Sequence, residues 1–364
     1  MIDRMNFLTT ILAATVLAVS SIAIMKALKP GFSKLVGILF LILALVACTP
    51  AEQTAADSTA EQPASNTSEG VSPTATGGLE LQALEWRNIG PFNGGRGTTV
   101  VGHPTDKMVF YFGHSSGGLW KTEDAGTTWE QVGAGQFNYA SVGAMAISDA
   151  DPNIMYVGLG EPQMRQSVSW GDGMYKSTDG GATWQHIGLD DSLQIARVRI
   201  HPHNPDIVYV ASLGHAFGPN DQKGVFRTED GGTTWERVLF KNEGTGAIDL
   251  IMSPDDPNLL FAALWEFERK AWGAKTGGPD SGIWRSRDGG DTWEDISLND
   301  GMPEGMMGRV GLTMSADDGN RVYALIDSES QQGLYRSDDK GDSWRLVSTD
   351  ANITARPFYF YHVY

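Results

Sequence analysis

Carboxylate and guanidinium groups dominate the chemistry this sequence could perform. Five aspartates, Asp124, Asp179, Asp230, Asp288 and Asp339, recur in one context, typified by Val225-Phe-Arg-Thr-Glu-Asp-Gly-Gly-Thr-Thr-Trp235. A carboxylate followed by Gly and a hydroxyl residue is turn chemistry. It accepts nearby backbone N–H groups, the Gly takes a positive φ, and the Trp packs beneath. These five are therefore expected to be structural. Outside the repeat stand Glu161, Asp172, Asp249 and Glu266. They are the candidates for the acid and base of a glycoside hydrolase or lyase, with Glu161 first because it follows a strand at a Gly-rich opening. Arg96, Arg165, Arg197, Arg309 and Arg356 could grip a carboxylate, sulfate or sugar acid through paired hydrogen bonds. Trp170, Trp265 and Trp272 could stack on sugar rings or peptide side chains. The same charges could instead pair with one another and hold their loops together, and both readings stay open.

The elements that position these groups follow from the repeat. Its closing Trp residues, Trp129, Trp184, Trp235, Trp293 and Trp344, are 55, 51, 58 and 51 residues apart. Most copies follow a Pro/Asp/Asn turn and a short strand, as in Asp151-Pro-Asn-Ile-Met-Tyr-Val157 and Asn204-Pro-Asp-Ile-Val-Tyr-Val210. A unit of about 50 residues holding four short strands is a propeller blade. No stretch sustains helical periodicity, and 44 Gly with 16 Pro suit an all-β chain of many turns. The expected fold is a β-propeller of five complete four-stranded blades. Arg356-Pro-Phe-Tyr-Phe-Tyr-His-Val-Tyr364 is expected to be the first strand of a sixth. An open ring exposes sheet edges, so the propeller is expected to continue past Tyr364. In such a ring the inner strands carry Arg96, Arg197, Asp249, Arg309 and Arg356 to one mouth. Insertions between second and third strands add Glu161, Arg165, Asp172, Glu266 and Trp272.

From Trp86 onward the chain resembles bacterial BNR/Asp-box repeat, sortilin-like or "glycosyl hydrolase" propeller proteins. The resemblance rests on the five repeats together with Asn88-Ile-Gly-Pro-Phe-Asn-Gly-Gly-Arg96, Gly158-Leu-Gly-Glu161 and Gly308-Arg-Val-Gly311. It implies that the five repeat aspartates lie on the outer rim. It implies little about activity, because propellers of this kind host unrelated functions. Xyloglucan-cleaving relatives carry a catalytic Asp in a Thr-Asp-Val-Gly-Gly stretch, where this chain has His114-Ser-Ser-Gly-Gly118. Sialidases carry an early Arg-Ile-Pro, where this chain has Arg87-Asn-Ile-Gly-Pro91.

The N-terminal region predicts a different physical role. Residues 25–34 are cationic, Leu35 to Ala47 are apolar, and Leu45-Val46-Ala47 precede Cys48, the only cysteine. This resembles a lipoprotein signal, which makes Cys48 the expected lipidation site and residues 1–47 the signal and an extra apolar segment. Two acyl chains give durable anchoring. Thr49 after the Cys favours the outer membrane by the same resemblance, and so a place in the cell envelope. Residues 48–78, poor in large apolar groups, are the expected tether, and 79–364 the propeller. A net charge of −17 argues against nucleic acid. No metal-ligand spacing occurs and no cofactor is expected. The leading expectation is a propeller that recognises a glycan, peptide or protein. The alternative is a glycoside hydrolase or lyase acting on an extracellular polysaccharide, and a purely architectural module ranks third.

Overall fold

The computed structural model describes residues 96–364, so the expectations for Cys48, the signal and the tether lie outside the described residues. Five antiparallel sheets follow one another along the chain. Blade 1 comprises β1 (Gly97–Gly102), β2 (Phe110–His114), β3 (Gly118–Thr122) and β4 (Glu130–Val132). Blade 2 comprises β5 (Val142–Ile147), β6 (Met155–Leu159), β7 (Met174–Ser177) and β8 (Gln185–His186). Blade 3 comprises β9 (Ile195–His201), β10 (Asn204–Ser212), β11 (Gly224–Thr228) and β12 (Glu236–Leu239). Blade 4 comprises β13 (Thr245–Met252), β14 (Leu260–Lys270), β16 (Gly282–Ser286) and β17 (Glu294–Asp295), with β15 (Gly273–Thr276) extending β14 as a hairpin. Blade 5 comprises β18 (Met307–Met314), β19 (Val322–Ser328), β20 (Gly333–Ser337) and β21 (Arg345–Ser348). Each sheet pairs its strands in chain order, the pattern of a propeller blade.

The first strands β1, β5, β9, β13 and β18 neighbour one another in turn, and no closed ring is formed. A four-stranded sheet has two faces to hide, and here the core lies between successive blades. Tyr111 and Leu119 of blade 1 share a buried cluster with Met145, Val157 and Trp184 of blade 2. Tyr156 and Met174 of blade 2 meet Val198, Val208 and Phe226 of blade 3. The largest cluster joins Phe261, Leu264 and Trp265 to Val310, Leu312 and Tyr335 across blades 4 and 5.

The first strands approach to backbone contact. A Cβ on Gly143 of β5 would lie 2.3 Å from the Ile195 carbonyl oxygen of β9. One on Gly246 of β13 would lie 2.2 Å from the Leu213 carbonyl oxygen. Only a residue without a side chain fits at such a distance.

After β21 the chain departs from its expected local form. Arg356 takes a left-handed conformation (φ 52°), and Pro357, which has no N–H, opens the four-residue helix α1 (Pro357–Phe360). Tyr361 to Tyr364 follow without regular structure. The segment does come after blade 5 in space, since a Cβ on Gly311 of β18 would meet the Tyr361 carbonyl oxygen at 2.5 Å. It pairs as no strand. Among the described residues no helix is long and apolar enough to cross a membrane.

Candidate functional site

The outer end of each blade is one turn repeated five times. In blade 3, Thr234 donates its backbone N–H to Asp230 Oδ1 (2.9 Å) and its hydroxyl to Oδ2 (2.7 Å). Thr228 donates its hydroxyl to Oδ1 (2.8 Å) and accepts the N–H of Gly232 (2.9 Å). Asp124, Asp179, Asp288 and Asp339 make the same set. The hydrogen bonds hold the carboxyls low. Backbone and hydroxyl donors of Thr128 and Thr234 bring Asp124 and Asp230 to about 2, and those of Thr183 and Thr292 do the same for Asp179 and Asp288. Both oxygens of each carboxylate are taken up by donors of its own turn.

The opposite ends of the second strands, where the blades converge, differ from blade to blade. In blades 1 and 2, Arg96 donates Nε and a terminal nitrogen to the two oxygens of Glu161, both at 2.5 Å. Glu161 is fully buried and also accepts the Ser169 N–H at 3.3 Å. It is held as a clamp between blades, its two oxygens engaged by the guanidinium fork of Arg96. Beside this clamp opens a cleft of about 380 Å³ lined by Ser115, Ser116, Tyr139, Ser141, Ser169 and Trp170. Tyr139 and Trp170 are exposed, the latter at 51%. Asp172 lies one turn away and accepts Asn138 Nδ2 (2.7 Å) and the Tyr175 hydroxyl (3.0 Å). Burial pushes Tyr175 up to about 12, so it remains a proton donor to Asp172.

Blades 3 to 5 meet around a second charged group. Arg197 of β9 donates Nε to Asp249 Oδ1 of β13 (2.7 Å), and Asp249 accepts the N–H groups of Leu250 (2.9 Å) and Leu312 (3.0 Å). Asp249 is buried and bonded on both oxygens. Arg309 of β18 donates to the Phe358 carbonyl (3.0 Å) and contacts His362 (2.9 Å). Arg165 and Arg356, expected at the same mouth, instead line a separate cleft of about 350 Å³ with Phe358 and Tyr359. Arg165 lies 5.8 Å over the Tyr359 ring.

Blade 4 carries Glu266, which pairs with Lys275 of the β15 hairpin and keeps Oε2 buried without a partner. Trp272 stands 87% exposed at the hairpin tip, whereas Trp265 is fully buried against Phe267 and cannot stack on a ligand. Trp265 belongs to β14 itself, which runs farther than the corresponding second strands and turns an expected loop residue into core. One acid escaped the sequence reading. Asp327, at the end of β19, faces a cleft of about 300 Å³ with Glu329 and Gln332, and burial raises its pKa. Its signal was positional: like Glu266, it stands where a second strand stops pairing with the first strand of its blade. Among the described residues no three His, Cys, Asp or Glu side chains are placed to hold a metal ion.

No family model matches the chain. It is 27% identical over 314 residues to a xyloglucanase from Paenibacillus sp, covering 78% of this chain and 28% of that protein. It is 25% identical over 288 residues to a xyloglucanase from Acetivibrio thermocellus, covering 72% of this chain and 32% of that protein. Among solved structures it resembles an ancestral GH74 enzyme (TM-score 0.53, 20% identity, 73% of this chain and 32% of that one). It also resembles the GH74 xyloglucanase from Xanthomonas campestris (TM-score 0.50, 18% identity, 68% and 38%). The fold is thus a propeller of the kind found in glycoside hydrolases. The chain spans about a third of the length of these relatives.

Proposed function

We propose that this chain is the glycan-binding part of a glycoside hydrolase-type propeller acting on a β-glucan of the xyloglucan class. The observation that carries this reading is the cleft between blades 1 and 2. It is lined by Ser115, Ser116, Ser141 and Ser169 together with two exposed aromatic rings, Tyr139 and Trp170. Sugars offer the matching surface, hydroxyls at their edges and C–H faces that stack on rings. The likeness to xyloglucanases supports the same substrate class. Ser115 and Ser116 hold the place that the resemblance gives to a catalytic Asp, so the cleft binds without supplying that acid. Asp172, beside the cleft, and Glu266 and Asp327, at the mouth of blades 4 and 5, are the remaining acids for hydrolysis.

Titration of the chain with xyloglucan oligosaccharides tests binding, and release of reducing ends tests turnover. Trp170→Ala is expected to weaken binding at least about tenfold, the worth of one stacked aromatic contact. Unchanged affinity in Trp170→Ala and Tyr139→Ala would remove the cleft from consideration. A recognition-only role is favoured by one observation, the closure of Glu161 and Asp249 in ion pairs. Binding without turnover, unaffected by Asp172→Asn, Glu266→Gln or Asp327→Asn, would select it.

The five rim turns are proposed to be Asp-box turns, and Cys48 a lipid attachment site in the cell envelope. Labelling with a palmitate analogue is expected to vanish in Cys48→Ala.

A further inference from the structure

The centre of the molecule holds more positive charge than it can satisfy. Arg197 and Arg309 are both buried, Arg309 to 1% exposure, and only Arg197 hydrogen-bonds the carboxylate of Asp249. Arg199, on the same strand as Arg197, adds a third guanidinium and donates only to the Val198 carbonyl (3.2 Å). Among the described residues Arg309 makes no ion pair; its guanidinium lies 5.7 Å over the Trp265 ring, and its Nε is buried without a hydrogen-bond partner. Leaving a charged donor unpaired in the interior costs more than leaving a neutral one, so such a group marks a missing acceptor.

The group now between the two arginines is a poor one for the place. Arg197 approaches His362 Nδ1 at 2.8 Å and Arg309 approaches Nε2 at 2.9 Å. Burial and the two guanidinium charges hold His362 well below its usual range, so the ring is neutral. A neutral imidazole has one acceptor nitrogen and one N–H. One of the two guanidinium N–H groups therefore faces an N–H. Protonating the ring would leave two donors facing two donors. Neither state of His362 answers both arginines, whereas the two oxygens of a carboxylate would accept from both at once. His362 also lines an open cavity of about 370 Å³ beside Phe360 and Val363.

We propose that Arg197 and Arg309 form a carboxylate-binding site at the propeller axis, occupied in this structure by the neutral side chain of His362. It is independent of the glycan cleft of blades 1 and 2. The ligand is a small carboxylate, free or carried on a sugar acid, that displaces the His362 ring.

Calorimetric titration at fixed ionic strength tests this with sodium acetate, sodium glucuronate and uncharged glucose. His362→Ala is expected to bind acetate at least about tenfold tighter than the unaltered chain, since the competing ring is gone. Glucuronate binding equal to acetate assigns the site to the carboxylate alone, and tighter glucuronate binding adds contacts to the sugar ring. Glucose is expected not to bind. Arg309→Met is expected to abolish carboxylate binding. A second variant covers the case in which Arg309→Met does not fold. His362→Glu places a carboxylate between the arginines and is expected to raise Tm above that of His362→Ala and to end acetate binding. No acetate binding by His362→Ala, undiminished binding by Arg309→Met, or a His362→Glu Tm at or below that of His362→Ala would each overturn the proposal.

Discussion

The rim and the mouth of this propeller obey opposite rules. At the rim, five turns use one set of side chains, and each aspartate is satisfied by hydroxyl and N–H donors within four residues of it. At the mouth, the second strands carry His114, Ser212 and Asp327 near their ends in blades 1, 3 and 5, Glu266 at the last position where β14 pairs with β13, and Glu161 just beyond the strand in blade 2. Ser212, Glu266 and Asp327 bond within their own blades, whereas the arginines reach across, as in the 65-residue separation of Arg96 and Glu161 or the 165-residue separation of Arg197 and His362. A local constraint repeats because every blade poses the same problem. A shared cavity poses one problem to all the blades, so each contributes something different.

That contrast can be broken most severely at Asp249. Asp249→Asn removes the one carboxylate facing Arg197, and breaking a buried pair costs about 3–5 kcal/mol. Chemical denaturation is expected to show this loss, and one under about 1 kcal/mol would mean the axis tolerates unpaired arginines. A rim position should cost less, and cost the same in each copy where a Cβ has room. Gly181 has φ +89° and room for a Cβ, and Gly181→Ala is expected to lose about 1–2 kcal/mol, matched by Gly126→Ala, while Gly232→Ala adds a clash with Ile187. A larger difference between Gly181→Ala and Gly126→Ala would show the rim turns to be unequal.

Acid sharpens the comparison further. Asp124, Asp179, Asp230 and Asp288 have folded pKa values near 2, below the ordinary value of about 3.9. Their contribution is complete above about pH 4 and is lost as pH falls toward 2. Tryptophan fluorescence melts taken across that window should decline less steeply in Asp230→Asn than in the parent chain. The smallest effect concerns the residue before the turn glycine. Ala125 and Lys340 occupy a left-handed conformation (φ 55° and 59°) that Gly180, Gly231 and Gly289 supply in the other blades. Ala125→Gly is expected to raise stability by up to about 1 kcal/mol in the same denaturation experiment.

The same contrast decides what the sequence discloses. The repeated Asp, Gly and Trp and the alternating strands make the all-β blades legible, because their causes lie within a few residues of one another. The mouth was legible only as a collection of types. Arg197 and Asp249 could be placed on inner strands, but their pairing depends on the order of blades in space. Trp265 looked like a loop residue because nothing local says that β14 runs eleven residues. His362 was invisible as a site residue, since its neighbours Arg197 and Arg309 are brought to it only by the convergence of three blades. The helix at Pro357–Phe360 replaced an expected strand through the left-handed Arg356, a conformation no composition announces.

Gly143 leaves no room for even one methyl group against the first strand of blade 3, and Gly246 none against the residue that follows β10. The angle between successive blades is thereby fixed by main chain alone, at the hinge of a fan. Anything inserted there, by substitution or by chemistry, acts on a short arm and is amplified along the length of each blade toward the periphery. The strictest tolerances in the molecule therefore belong to its smallest residues, and the farthest turns are where a fault among them would register.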